Sequence, residues 1–473
     1  MKVRNPRTGE ADYEIAPLDT AALTTATHTL RKAQPAWAAL SASQRGEHML
    51  RLADAVCKHA AAIGDALTAD TGRAAISLIE VDGTSRLIER WAVSASDIME
   101  RTIVQNRQTS IPGISTSTRL VPYPLVGVIA PWNFPLTLAL IDAVPALMAG
   151  CAVIVKPSEV TPRFLRPLMV AVAEVPEIPL LVIDGDGATG AALVPLVDYI
   201  AFTGSVATGR IVGAAAAAAF IPASLELGGK DPMIVLASAD PVEAAETALR
   251  ASVVNSGQAC QSIERVYIAR EIAEAFIDAL TEKALAVRLN YPDIKSGDIG
   301  PFIFVKQAVI VQSQIDDAVA KGARLLAGGQ IENLGGGLYL RPTVLADVTA
   351  DMKVMTEETF GPVIPVTIFD TTADAIALAN TGTYGLSGAV IAATVEEAET
   401  VGMQLNVGAV SINDGSLTSM VWEAEKSSFG LSGLGPSRMG DSGLLRFFRK
   451  QALIRQSGDA MPLAAYAEDA QHG

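Results

Sequence analysis

Apolar residues recur at intervals of three and four from Thr20 to Leu40 and from Gln44 to Leu67, the spacing of one buried helical face. The pattern predicts a helical region over 20–104, and Ser41-x-x-Gln44 has the form of a capping box. Polar, β-rich residues follow at 107–120, with Pro112-Gly113 as a turn, which predicts an exposed hairpin. Short apolar runs then alternate with helical stretches. They are Val126–Ala130, Ala152–Val155, Leu180–Ile183, Tyr199–Phe202 and Met233–Leu236. Strands that alternate with helices predict a parallel α/β sheet. A second alternating set runs from Arg265 to Ala392. It includes Val266–Ala269 and a helix from Val309 to Leu326 that stops at Gly328-Gly329. Two α/β halves in one chain imply a cleft between them, the usual place for chemistry.

Composition narrows the class. At 473 residues the chain exceeds one ordinary core, and 50% hydrophobic residues mark it as globular. Its net charge of −15 disfavours nucleic acid and anionic membranes as partners. Met1-Lys-Val-Arg-Asn-Pro6 has no apolar signal core, and no uncharged run reaches the roughly 18 residues of a membrane span. The expectation is a cytoplasmic protein with neither nucleic acid nor membrane as partner.

Cys57, Cys151 and Cys260 are far apart and form no CxxC pair, so no zinc site or disulfide framework is expected. Cys57 lies in a helical pattern and Cys151 opens the run Ala152–Val155, so both read as core thiols. Cys260 is different in its company. It closes Asn255-Ser-Gly-Gln-Ala-Cys260, and Glu226-Leu-Gly-Gly-Lys230 lies upstream. None of His28, His48, His59 or His472 lies in a motif-like segment, so a carboxylate is the better candidate for a base. Alone, Cys260 would more often be a buried thiol.

Two segments could receive a phosphate. Gly185-Asp-Gly-Ala-Thr-Gly190 matches G-x-G-x-x-G after a strand, but no acidic residue falls near 205–210, where a dinucleotide fingerprint would place one. Phe202-Thr-Gly-Ser205 is better placed, directly after a strand and before an alanine-rich helix, where free amides and a hydroxyl suit a phosphate. An ordinary glycine turn explains that tetrapeptide equally well.

Six motifs occur in order: Pro131-Trp-Asn-Phe-Pro135, Lys156-Pro-Ser-Glu159, Phe202-Thr-Gly-Ser205, Glu226-Leu-Gly-Gly-Lys230, Gly257-Gln-Ala-Cys260 and Glu357-Glu-Thr-Phe-Gly-Pro362. In this order they resemble the aldehyde dehydrogenase superfamily of hydrolytic, NAD(P)-dependent enzymes, over nearly the whole chain from Asn5 to Ile454. The resemblance implies an α/β fold with a Rossmann-like cofactor domain (1–106 and 122–227), a catalytic domain (228–445), and a small β oligomerisation arm with a C-terminal tail (107–121 and 446–473). It implies a homodimer or homotetramer.

The resemblance also implies roles. Cys260 attacks an aldehyde as a thiolate, Asn133 and the Cys260 N–H hold the oxyanion, and Glu226 activates water to hydrolyse the thioester. Lys156 belongs to the same catalytic set and, with Trp132, Ser158 and Glu159, to the cofactor site. Gly204 and Ser205 face the pyrophosphate, Leu227 and Gly228 border the cofactor, and Glu358 and Phe360 meet the nicotinamide ribose. Glu159 repels a 2′-phosphate, so NAD is favoured over NADP. Lys230 orients backbone or assists catalysis. Members that transfer the acyl group to coenzyme A usually lack the glutamate found here at Glu226, so hydrolytic release is expected. Acyl transfer to coenzyme A, and a non-catalytic protein that kept the fold, are the alternatives.

The substrate channel is read as Leu138, Ile141, Ala259, Gln261 and Phe429, with Met420 and Trp422 nearby in sequence. No arginine stands in this set, which points to a medium or large neutral aldehyde, aliphatic or aromatic. On spacing alone, Leu138 and Ile141 are as readily helix core. One stretch, Ser427–Gly440, follows the family's phenylalanine-glycine-glycine pattern only loosely, so the loop over the substrate mouth is expected to differ.

Overall fold

A computed structural model describes residues 1–468; the end of the C-terminal tail, with His472, lies outside the described residues. The helical region is four helices: Thr20–Ala39, Ala42–Lys58, Ala60–Thr71 and Ala74–Thr102. Ser41 and Gln44 form the expected capping box in both directions. The continuous pattern from Gln44 to Leu67 is broken at His59, whose backbone leaves the helical region (φ −96°, ψ 9°). Apolar spacing cannot reveal that break, because both segments keep the same period.

Two sheets carry the molecule. The first has six strands in the order Gly433–Leu434, Ala223–Glu226, Tyr199–Thr203, Leu125–Ile129, Ala152–Lys156, Leu180–Val182. All neighbours are parallel except the pair Gly433–Leu434 and Ala223–Glu226. The second has seven strands: Arg324–Ala327, Thr343–Ala346, Val363–Phe369, Ile263–Ala269, Asp231–Val235, Gly388–Ile391 and Val410–Ile412. Only its first pair is antiparallel. The central strands are buried along their whole length, as strands covered by helices on both faces must be. Each sheet accordingly separates two apolar cores.

The chain order reverses in the first sheet between Leu125–Ile129 and Tyr199–Thr203. The crevice at the carboxyl ends of such a switch point is where open α/β sheets take ligands. Trp132, Asn133, Lys156, Ser158, Gly204, Ser205 and Glu226 all lie at or just beyond those carboxyl ends. The second sheet presents its amino ends: Cys260 precedes Ile263–Ala269, and Glu358 and Phe360 precede Val363–Phe369. The two halves therefore meet carboxyl end to amino end.

The expected hairpin is present. Arg107–Gln108 pairs with Ile114–Pro122 around Gly113, and Ile114–Pro122 pairs along its whole length with Phe448–Gln456. Two expectations change. The helix proposed for Val309–Leu326 runs instead from Val305 to Ala320. Gly322, in the left-handed region at φ 101°, ends it, and Arg324–Ala327 becomes an edge strand whose leucines merely kept the helical spacing. Cys57 is exposed rather than core, because the last turn of its helix spends Ala55 and Val56 on the buried face; its Sγ donates to Ser85 Oγ at 3.3 Å. Cys151 is buried as expected, and burial pushes its thiol well up from the ordinary value.

Candidate active site

The thiol loop is held from below. Asn255, Ser256 and Gly257 are three successive left-handed residues (φ 60°, 56° and 69°), a conformation that non-glycine residues adopt only under constraint. The constraint is visible. Asn255 Nδ2 donates to Asn133 O (3.1 Å) and Gln258 O (3.0 Å), and its Oδ1 accepts from Arg73. Gln258 Nε2 donates to Asn255 O at 3.1 Å, and its Oε1 accepts from Ile303 N at 2.9 Å. Arg73, fully enclosed and paired with Glu80 at 3.8 Å, also donates to Asn133 O at 3.0 Å. Asn133 Nδ2 in turn donates to Gln258 O at 3.0 Å, two residues from Cys260. The structure thus brings the Asn133 amide to the thiol loop. Arg73 carries no signal in the sequence, and Asn255 stood in the Cys260 motif without an expected role; the loop's glycine was the signal that a constrained backbone stood there.

Burial pushes the Cys260 thiol up to about 12; Arg438 works against this, while Asp231, Glu358 and Glu226 add to it. So raised a thiol keeps its proton at neutral pH, and the thiolate expected to attack is the minor form. Glu226 ends the strand Ala223–Glu226. Its Oε2 accepts from Ser428 Oγ at 3.2 Å, and its Oε1 lies 3.8 Å from Arg438 Nε.

Two cations absent from the expected channel set bear on the thiol by charge, both from the mouth segment Leu417–Arg438, which begins ahead of the loosely matching stretch. Lys426 Nζ donates to Gln261 Oε1 (2.9 Å) and Thr418 O (2.7 Å). No carboxylate lies within bridging distance of it among the described residues, and burial lowers its pKa. Arg438 Nη2 donates to Thr203 Oγ1 (2.6 Å) and Asp142 Oδ2 (3.1 Å); Arg446 pairs with the other Asp142 oxygen. Among the other channel residues, Ile141 is buried on the helix Pro135–Ala149, and Leu138 and Ala259 are half-buried. Phe429 packs over Gly385 and stays 40% exposed, one residue from Ser428.

On the cofactor side, Lys156 Nζ donates to Glu159 Oε2 and to Gly185 O, each at 3.2 Å. Ser158 Oγ accepts from Val160 N, and Trp132 packs edge-on against Phe360 with ring centres 5.4 Å apart. Ser205 caps the helix Val206–Ala218, and a Cβ on Gly204 would lie 2.7 Å from the Phe202 ring and displace it. Leu227 packs on Gly209 and its N–H donates to Ser432 O. A Cβ on Gly228 would sit 2.4 Å from Glu358 Oε2, so the glycine is what lets that carboxylate lie there. Gly229 N donates to Glu358 Oε1 at 3.2 Å, while burial and the nearby Glu264 raise the Glu358 pKa to about 8. Lys230 orients backbone: its ammonium bonds Glu264 and Thr359 Oγ1, and Glu264 accepts from the N–H groups of Thr359 and Phe360. The Gly185–Gly190 loop is unsuited to a phosphate, since Asp186 fills the helix start with its own carboxylate, accepting from Ala188 and Thr189 N–H.

A doubly wound sheet with a ligand crevice at its switch point, facing a cysteine, a carboxylate and an amide, defines a two-part α/β enzyme with a cysteine centre. The chain belongs to the aldehyde dehydrogenase family, whose model matches residues 1–453. It is an NAD(P)-dependent oxidoreductase acting on aldehydes. A Mycobacterium ulcerans protein provisionally named succinate-semialdehyde dehydrogenase [NADP(+)] 2 is 36% identical over 432 residues, 89% of this chain and 82% of that one. The structure of a protein provisionally described as aldehyde dehydrogenase PutA from Anabaena variabilis superimposes with a TM-score of 0.95 at 49% identity, over 98% of this chain and 99% of that one. Betaine aldehyde dehydrogenase from Staphylococcus aureus, in complex with NAD+, gives 0.90 at 28% identity, over 98% and 92%. No helix among the described residues is long and apolar enough to cross a membrane, and no group of three or more His, Cys, Asp or Glu side chains there could hold a metal ion.

Proposed function

We propose that the protein oxidises an aldehyde to the free carboxylic acid through a covalent adduct on Cys260. The observation that carries this reading is the convergence of the Asn133 amide, the Cys260 loop and the Glu226 carboxylate at the junction of the two sheets. Loss of the Sγ proton to a base makes the nucleophile, and Glu226 is one of the three carboxylates, with Asp231 and Glu358, whose charge bears on it. The Asn133 amide stabilises the oxyanion of the tetrahedral adduct. NAD(P), when bound, supplies the hydride acceptor that turns this adduct into a thioester. Glu226 then takes a proton from water, whose oxygen attacks the thioester carbon; the C–S bond breaks and the acid leaves.

The residues present fit the dinucleotide. Ser205 and Gly204 offer a capped helix start free of any acidic side chain in its first turn, and Gly228 leaves room for the Glu358 carboxylate. Lys156 and Glu159 would hold the adenosine ribose, Ser158 and Trp132 would flank it, and Glu358 with Phe360 would meet the nicotinamide ribose. The Glu159 carboxylate favours NAD over NADP by charge.

Leu138, Ile141, Ala259 and Phe429 support an apolar chain beside the carbonyl. Lys426 favours a second reading, an aldehyde with an anionic far end: a half-buried ammonium held only by neutral acceptors would attract a carboxylate and repel a cation. Between the succinate-semialdehyde and betaine aldehyde of the relatives' names, it selects the first. The three-stranded sheet is read as an assembly arm, since its outer strand Phe448–Gln456 has a free edge and exposes Ile454.

A panel of neutral, anionic and cationic aldehydes, assayed with NAD and NADP and with and without coenzyme A, tests these readings. Free acid irrespective of coenzyme A is expected, with faster turnover of NAD than NADP. Acyl-coenzyme A as product would overturn hydrolysis, and no reduced cofactor with any aldehyde would overturn the enzyme reading.

A further inference from the structure

The mouth segment departs from the family pattern, and it delivers one side chain whose hydrogen bonds do not account for its position. Arg438 is clamped at one end, with Nη2 on Thr203 Oγ1 and Asp142 Oδ2. Its other edge is uncommitted. Nε is buried with no hydrogen-bond partner, and it lies 3.8 Å from Glu226 Oε1. Neutralising Asp142 does not explain this placement, because Arg446 already pairs with Asp142. Ser428 donates to the opposite Glu226 oxygen, so the carboxylate sits between a hydroxyl and a guanidinium.

We propose that Arg438 is a positioning residue that holds Glu226 where it activates water, its fixed positive charge also bearing on the thiol loop. The inference rests on the reading of Cys260 as nucleophile and Glu226 as base. The charges facing Cys260 are Arg438 and Lys426 from the mouth segment, Glu226 from the first sheet, and Asp231 and Glu358 from the amino edge of the second. Three carboxylates thus oppose thiolate formation, and Arg438 is the foremost charge that assists it. Burial works against the guanidinium's own charge, but Asp142 first, then Glu226 and Cys260, hold its pKa above the ordinary value. It remains cationic throughout the working range, a fixed charge rather than a switch.

The test uses the full-length protein with Cys57→Ser, which removes the exposed thiol. Two quantities are read without cofactor. The pH profile of Cys260 alkylation by iodoacetamide reports the thiolate. The burst and steady release of nitrophenolate from p-nitrophenyl acetate report acylation of Cys260 and its hydrolysis. Arg438→Gln is expected to slow alkylation at fixed pH about tenfold, a profile moved up by about one pH unit, and to slow the steady phase at least about tenfold. Arg438→Lys is expected to restore the alkylation profile, through its charge, but not the steady phase, because it lacks the planar fork. An unchanged steady phase in Arg438→Gln overturns the proposal. So does a steady phase fully restored by lysine. Should Arg438→Gln fail to fold, Thr203→Val decides: it loosens the clamp and keeps the charge, so a slower steady phase with an unmoved profile supports the proposal, and an unchanged steady phase overturns it. A burst that survives Cys260→Ala instead sinks the underlying reading of the thiol.

Discussion

The loop from Asn255 to Cys260 and the segment from Leu417 to Arg438 both border the thiol, yet they are held in different ways. In the loop, Asn255 and Gln258 each make several buried hydrogen bonds, and Arg73 ties the loop to Asn133. In the mouth segment, Met420, Phe429 and Leu434 are exposed, and Lys426, Ser428 and Arg438 reach inward on otherwise half-exposed chain. The loop pays for three left-handed residues with a closed set of buried partners, so it tolerates little change. The segment is anchored at fewer points, chiefly Ser432, Ser437 and the pairing of Gly433–Leu434, and between them it delivers charge to the centre. The first thus supplies backbone geometry and the second supplies charge, with Arg438 beside Glu226 and Lys426 proposed to read the aldehyde's far end.

That contrast can be broken by substitution. The largest effect is expected from Cys260→Ala: no turnover with any aldehyde, with NAD binding by calorimetry unchanged. Residual turnover would move the nucleophile elsewhere. Glu226→Gln should come next, slowing steady turnover by at least about 10² while an acyl adduct builds up on Cys260, visible by intact mass spectrometry. A variant that turns over slowly without an adduct would place Glu226 before the thioester rather than after it. Asn133→Ala should cost about 10²–10³ in kcat, similarly for every aldehyde, as the loss of an oxyanion donor does. The smallest change is expected from Lys426→Met, about tenfold in kcat/KM for anionic aldehydes and little for neutral ones. If Lys426→Met instead lowers kcat for all aldehydes as much as Asn133→Ala does, Lys426 acts in the shared chemistry and its reading as a specificity charge fails.

The pH dependence adds a sharper measure. With the thiol raised to about 12 in the unliganded protein, Cys260 alkylation should rise about tenfold per unit from pH 7 to 10, because the thiolate is the reactive form and remains the minor one throughout. A plateau near pH 8 would show that the centre is pre-ionised.

The strands that carry the site were legible because fully buried parallel strands leave unmistakable apolar runs: Leu125–Ile129 lies one residue before the expected run, and Ala152–Lys156 and Tyr199–Thr203 each extend theirs by one. Boundaries were less legible where two elements share one spacing, as at His59 and Gly322. Lys230 shows a different limit. Its place after two glycines marked it as unusual, but its partner Glu264 is thirty-four residues on and carries no local signature. Cys57 was misplaced because its position at the end of a helix, rather than its residue type, decides exposure.

By itself the sequence determined the family and the order of its motifs, and so the candidates Asn133, Glu226, Cys260 and Glu358 proposed for its chemistry, since each stands in a motif tied to a strand end or a constrained turn. Only the tertiary structure decided the electrostatics of the centre. Lys426 and Arg438 lie far along the chain in an irregular segment, and what they do depends on which carboxylates end up near them. Charge acts through space and burial, and neither distance nor burial is written in the spacing of residues along a chain.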